Sequence, residues 1–482
     1  MNRKLLYVLI AVAAGLITLY FAPATGLTIT GQRLMGALVF IIVIWSTEAV
    51  SYPISAFMLL LIMMWANATG KVSLNAGMKT ALLGFASATP LAVVAATAFA
   101  TVVQNTGLSE RVVYKVMKLI SGSHAVKAKR FLASIFCVEV PLSFLVPSST
   151  GRTAIYLSIA EGLEKPFKFS PVDSNGKHTG GNPMQRALFI IAGIMPAIMG
   201  AAFLTASEAT MLAGRLISEG TGQLQYWGLT VQYLLIPAVL LMVAFYFIAC
   251  KVFPSSVDDI PLAFIDERIQ LLGPMKWSEK YVIGVFLGAI AIWMTDTIHH
   301  IPTEAVLFLM MIALYLPGIG AGNWKKDSKS IAWGSFIVIA ISLAFATALS
   351  QHGVMKLIAG WIGGLGITSL TGLMIVLPCV LVLLRIAIAS HTGATVLFVP
   401  LAMELGKLAG LGTNEVVALA WVTYAFCRAA YLLPQQSAQV ILVYDYGYFT
   451  REDMLKLGVP LTVAAMVIYI TWGSLILPLL AK

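Results

Sequence analysis

The sequence predicts an all-α polytopic membrane protein with about eleven transmembrane helices and two re-entrant hairpins, arranged as an inverted repeat. Three observations predict it. The 482 residues are 59% hydrophobic and 11% charged, against about a quarter charged in a typical soluble domain, so most of the surface is built to face lipid. The hydrophobic residues fall in runs long enough for helices to cross a bilayer, and the alternating segments of a membrane β-barrel are absent from the pattern. Finally, two short polar tips interrupt hydrophobic runs at corresponding places. Pro147-Ser148-Ser149-Thr150-Gly151-Arg152-Thr153 and Ser390-His391-Thr392-Gly393-Ala394-Thr395 superpose with Ser148 on Ser390, Thr150 on Thr392, Gly151 on Gly393 and Thr153 on Thr395.

Taken in order, the first spans are Leu5–Ala24, Met35–Val50, Ile54–Ala68 and Thr89–Val103. Leu5–Ala24 starts like a signal peptide but is longer than such a core, so a retained span is expected. Glu110–Ile120 has apolar residues at helical spacing opposite Arg111, Lys115 and Lys118, a pattern for a helix in the membrane interface. Phe131–Leu163 is broken by the first tip into two arms too short to span comfortably, with lysines and arginines on both flanks. That reads as a hairpin entering and leaving on the cytoplasmic side. Pro166–Arg186 is expected to be a cytoplasmic loop, Ala187–Ile217 a helix broken at 205–210, and Tyr226–Val252 a long span. Phe253–Lys280 is expected to be a cytoplasmic connector.

The second half repeats the plan. Tyr281–Thr295, Ala305–Leu316 and Ile337–Leu349 are spans, with Asn323–Ser330 cytoplasmic and His352–Ile362 interfacial. Leu370–Leu405 is the second hairpin, Val416–Leu432 a span broken at Leu433–Ser437, and Val459–Leu480 the last span. Five crossings lie between the hairpins. An odd number makes the second enter from the opposite face, so the repeat is inverted and suited to alternating access. The positive-inside rule then puts the N-terminus in the cytoplasm and Lys482 outside the cell membrane.

The net charge of +10 belongs to loops beside apolar segments, which topology explains without a nucleic-acid partner. Cys137, Cys250, Cys379 and Cys427 stand singly in apolar stretches, as buried thiols do, with no disulfide or metal spacing. No metalloprotease, nucleophile-elbow, Walker or dinucleotide motif is present, so no enzyme, cofactor or metal is expected.

The tips carry a resemblance. Ser148-Ser149-Thr150 and Ser390-His391-Thr392 stand where the divalent-anion/sodium symporter family, the dicarboxylate, tricarboxylate and sulfate carriers, has a Ser-Asn-Thr motif at each of two opposed hairpins. Gly84-Phe-Ala-Ser-Ala-Thr, Asn105-Thr-Gly-Leu-Ser-Glu-Arg and Tyr444-Asp-Tyr-Gly-Tyr448 extend it over nearly the whole chain. The resemblance implies a homodimer of elevator carriers, in which a scaffold dimerises and a transport unit slides with its substrate. On that plan 1–124 is first-repeat scaffold and interfacial helix, 125–222 the first transport unit, 223–366 connecting and second-repeat scaffold, 367–448 the second transport unit, and 449–482 the last transmembrane helix. Both motif asparagines are replaced, by Ser149 and His391, and Arg152 follows the first tip. In this the chain is similar to the sodium-independent citrate/succinate-type exchangers.

The expected substrate site is therefore Ser148, Ser149, Thr150, Arg152, Ser390, His391 and Thr392, with Ser207, Pro434 and Ser437 from the helix breaks. Arg152 is the expected charge-compensating group, since an intramembrane guanidinium is costly and its planar fork suits a carboxylate. The bland alternative is an ion pair to Glu208 or Glu139. His391 either compensates charge or is a hydrogen-bonded core group. Arg385 and Arg428 either hold the anion or bond to backbone. Glu208 either balances Arg152 or carries a proton. The expected function is a sodium-independent dicarboxylate exchanger. Alternatives are a sodium- or proton-coupled symporter and, from another class, an anion channel.

Overall fold

The computed structural model describes residues 3–122, 126–167, 169–170, 172, 183–254, 260, 263–364, 366–386, 388 and 390–480. Among these the chain is helical throughout, with one isolated antiparallel bridge between Val126 and Ile260. The chain runs α1 (Arg3–Phe21), α2 (Ile29–Thr47), α3 (Tyr52–Asn67), α4 (Leu74–Ala81), α5 (Ala88–Thr106) and α6 (Leu108–Ser121). The hairpin arms α7 (Ala128–Leu145) and α8 (Ser149–Phe167) follow, then the broken pair α9 (Pro183–Met199) and α10 (Glu208–Thr221), and α11 (Trp227–Val252). After α12 (Ala263–Leu272) come α13 (Trp277–Met294), α14 (Asp296–His299), α15 (Thr303–Leu314), α16 (Trp324–Asp327), α17 (Trp333–Gln351) and α18 (Val354–Gly363). The second hairpin is α19 (Leu370–Leu384) and α20 (His391–Leu408). A second broken pair, α21 (Thr413–Cys427) and α22 (Ala438–Tyr444), precedes α23 (Arg451–Leu475) and α24 (Leu477–Leu480).

Seven of these helices, α1, α2, α5, α11, α13, α17 and α23, are long and apolar enough to cross a bilayer. Shorter apolar helices include α3, α9, α15, α18 and α19. The one-sided burial of the outer helices follows from lipid contact. In α23, Leu457, Leu461 and Ala465 are buried while Val459, Val463 and Val467 are exposed.

Both pairs of hairpin arms form as the sequence places them, whereas the helix breaks begin earlier than expected, at Gly200 and Arg428 in place of Thr205 and Leu433. The expected spans leave out the helices α4, α12, α14 and α16, and α23 begins at Arg451, ahead of the expected Val459. All four are short and carry polar residues, so a search for apolar runs passes over them; α23 starts early because Thr450 and Asp453 cap it reciprocally. The expected Pro166–Arg186 loop and the first part of the Phe253–Lys280 connector lie largely outside the described residues.

The superposition seen at the tips extends to the elements. Shifted by the spacing that takes Ser148 to Ser390, α5 falls on α17, α6 on α18, α7 on α19 and α8 on α20 to within a few residues. The two hairpin units interlock. α22 of the second unit packs on α8 and α9 of the first, and α10 of the first packs on α20 and α21 of the second. This crossing brings the two helix breaks beside the two tips.

Candidate functional site

Each tip is a helix start held by its own serine. Ser148 Oγ accepts from Gly151 N at 3.2 Å and Ser390 Oγ from Gly393 N at 3.0 Å, the N-cap arrangement that serine favours. The first-turn amides of Ser149 and Thr150, and of His391 and Thr392, then have no intrahelical acceptor. In α10 the same holds at Glu208 and Ala209, because the helix resumes only after the extended residue Ser207. These helix starts converge on one cavity of about 350 Å³. Its wall is completed by Arg428, by Ala438 and Gln439 of α22, and by Tyr52, Pro53, Gly334 and Ser335 at the starts of α3 and α17. Converging helix N-termini with free amides make a ready anion site.

The cation in this cavity is Arg428, and Arg152 is elsewhere. Arg152 is fully buried and absent from the cavity wall. Its Nε lies 2.8 Å from Glu139 Oε1. Nη1 donates to the Val146 and Ala206 carbonyls at 2.6 and 3.1 Å, and Nη2 to the Pro196 carbonyl at 2.9 Å. Tyr156 donates to the other Glu139 oxygen at 2.8 Å. The expectation that Arg152 compensates the anion's charge is corrected accordingly: the hairpin arms run antiparallel, so Glu139 on α7 meets Arg152 on α8 and neutralises it.

Arg428 ends α21 and reaches across the unit boundary. Its Nε donates to the Ala197 carbonyl at 2.9 Å, Nη1 to Ser207 Oγ at 3.0 Å and Nη2 to Ser149 Oγ at 2.7 Å. A guanidinium has five N–H groups, so two remain for the cavity. Behind the second tip, Arg385 is fully buried and donates to the carbonyls of Ile388, Ser390 (3.2 Å) and Gln436 (2.7 Å), and to His391 Nδ1 at 3.2 Å. Among the described residues neither Arg385 nor Arg428 has a carboxylate within 4 Å.

Most of the expected residues meet at this cavity. Ser148, Ser149, Thr150, Ser207, Ser390, His391 and Thr392 line it, as does Glu208. Thr150 is exposed to the opening and Thr392 half-buried, and neither hydroxyl makes a hydrogen bond among the described residues, so both are open to a ligand. The Ser148 and Ser390 oxygens are committed as caps. Pro434 and Ser437 do not reach the wall; Pro434 opens the short turn of the second break, and Ser437 caps α22 by accepting from Val440 N at 3.2 Å. Thr395 bonds back to the His391 carbonyl at 2.8 Å. Sequence reasoning missed Tyr52, Pro53, Gly334, Ser335 and Gln439. The first four carry no motif; the broken-helix pattern pointed at Gln439's neighbourhood without singling it out.

The whole chain matches one family. Residues 2–481 match the family described as "Sodium:sulfate symporter transmembrane region". The chain belongs to this sodium:sulfate symporter family of divalent-anion transporters. Within reach of it is a protein of Cupriavidus necator named only "Membrane protein", 28% identical over 94% of this chain and 88% of its own. The L-tartrate/succinate antiporters of Shigella boydii and Escherichia coli (strain K12) are 26% and 25% identical, each over 83% of this chain and 80% of theirs. Among solved structures, the YdaH transporter of Alcanivorax borkumensis aligns with a TM-score of 0.53 at 12% identity, over 89% of this chain and 97% of that one. Such a likeness is one of fold.

Proposed function

We propose that this chain is a secondary active carrier that exchanges one C4 or C5 dicarboxylate for another without sodium. It works as an elevator-type homodimer in the cell membrane, with 125–222 and 367–448 as the moving unit. Succinate, malate and 2-oxoglutarate fit the reading, and citrate or tartrate are accommodated by the same chemistry. The observation that carries it is Arg428, a tethered positive charge in the anion cavity beside three helix N-termini. Carriers that use mobile cations release them at each turn; a guanidinium cannot leave. Among the described residues, Arg385 and Arg428 against the one wall carboxylate, Glu208, leave the empty site with net positive charge. Carrying an uncompensated charge through the membrane costs several kcal/mol, so the empty return is slow and a bound dianion speeds the crossing in both directions. The relatives named as L-tartrate/succinate antiporters support exchange.

The scaffold side of the cavity supports a cytoplasmic opening. Gly334 and Ser335 begin α17 directly after a loop carrying Lys325, Lys326 and Lys329, and such loops stay inside.

The test is uptake of labelled succinate into proteoliposomes with and without internal succinate, in sodium, potassium and choline buffers. Exchange predicts uptake only into loaded vesicles and equal rates in the three buffers. Strong uptake into empty vesicles driven by a sodium gradient would establish symport. Flux without counterflow in any buffer would favour a channel.

A further inference from the structure

Among the described residues Glu208 is the one carboxylate on the wall of the cavity, and exchange as proposed uses it only as a countercharge. It opens α10, so its side chain stands where that helix's free amides and Arg428 would draw a substrate carboxylate. Among the described residues no lysine, arginine or histidine lies within 4 Å of it.

The other groups facing Glu208 come from each element around the cavity. α8 presents Ser149 and Thr150, α17 presents Ser335, and α22 presents Gln439. α20 presents His391, whose Nδ1 lies 3.2 Å from Arg385 Nη2 and 3.2 Å from the Cys427 carbonyl. α3 presents Tyr52, whose hydroxyl donates to Glu48, just past the end of α2, at 3.1 Å. Arg428 comes from the end of α21, with Arg385 behind the second tip. Arg152 and Glu139 cancel one another behind the first tip.

The charges can therefore be counted. Arg385 and Arg428 balance a dianion and leave Glu208 as one surplus negative charge, half-buried beside the substrate. Two carboxylates converging on one site do not both stay ionised. We propose that Glu208 takes up a proton from solvent as the dicarboxylate binds, so that the unit crosses the membrane with dianion and proton together. The inference rests on the dicarboxylate-carrier reading. The step is a plain protonation: a Glu208 carboxylate oxygen gains a proton from water, and the resulting O–H donates to a substrate carboxylate oxygen, a short and strong hydrogen bond. Release at the other face reverses it. Loaded with dianion and proton the site is neutral; empty it is positive, which reinforces exchange. By linkage, the factor by which substrate favours the proton is the factor by which the proton favours substrate.

The experiment measures the KM of succinate exchange in proteoliposomes at equal internal and external pH, between about pH 6 and about pH 8, counting only the dianion as substrate. The wild-type KM is expected to rise with pH, by up to about tenfold per unit. Glu208→Gln, a permanently uncharged mimic of the acid, is expected to show a flat KM near the wild-type acid value. A second measurement needs no variant: succinate added to purified protein in weakly buffered solution at about pH 7.5, where free succinate is a dianion, should take up about one proton per site. Exchange that proceeds with a flat wild-type KM, or binding without proton uptake, overturns the role of Glu208 and leaves the exchanger standing. Failure of succinate to move under any condition overturns the carrier reading itself.

Discussion

At the scale of single residues, two arginines identical in charge are separated by what surrounds them. Arg152 meets Glu139 and three carbonyls, and its guanidinium is closed off from the cavity. Removing one partner of a buried ion pair leaves the other uncompensated, at a cost of about 3–5 kcal/mol. Arg152→Gln and Glu139→Gln are each expected to lower the melting temperature of the detergent-solubilised protein strongly, while the double variant recovers part of the loss. Equal melting of single and double variants would show that the pair is not coupled. The tip threonines are different. Their hydroxyls are free, and a hydrogen bond to a charged group is worth about 1.5–3 kcal/mol. Thr150→Ala and Thr392→Ala should each weaken succinate binding about tenfold or more with melting unchanged. Unaltered affinity in both would place the substrate elsewhere.

At the scale of elements, function depends on how closely the first helix break approaches the first tip. A Cβ on Gly200 would stand 2.1 Å from Arg428 Nη2 and 2.7 Å from Ser149 Oγ. Gly200→Ala must therefore push the guanidinium off Ser149. Exchange should lose at least about tenfold in kcat/KM, since a charge-assisted hydrogen bond is broken and the cavity's cation displaced. Wild-type kinetics in that variant would mean Arg428 can move without consequence. The hairpins and breaks were legible in the sequence because Pro147–Thr153, Thr205–Thr210, Ser390–Thr395 and Leu433–Ser437 put polar and turn-forming residues inside apolar runs. Gly200 was not legible in this role. A glycine's neighbour across a helix break depends on tertiary packing, and the sequence offers only the absence of a side chain.

At the scale of the whole molecule, the repeat that takes α5–α8 onto α17–α20 carries a topological prediction. The five crossings that hydropathy leads one to expect between the hairpins would place their outer ends on opposite faces of the membrane. Lys329→Cys, in the loop before α17, should react with an impermeant thiol reagent only from the cytoplasm; Lys407→Cys, at the end of α20, only from outside. Both side chains are exposed. Labelling of the two from one face would remove the inversion, and alternating access with it.

The sequence by itself determined the membrane class, the order of the helices, the two matched tips and the polar residues from which an anion site is assembled. These follow from hydropathy and local turn chemistry, which are properties of short stretches of chain. Only the tertiary structure decided which charges face the cavity. Arg152 stands beside a tip motif and is spent on Glu139, whereas Arg428, far from either motif in sequence, reaches Ser149 and Ser207 because the two broken-helix units interlock. An arginine's role in a membrane interior is set by the partner that compensates it, and that partner lies across helix contacts which local sequence does not encode.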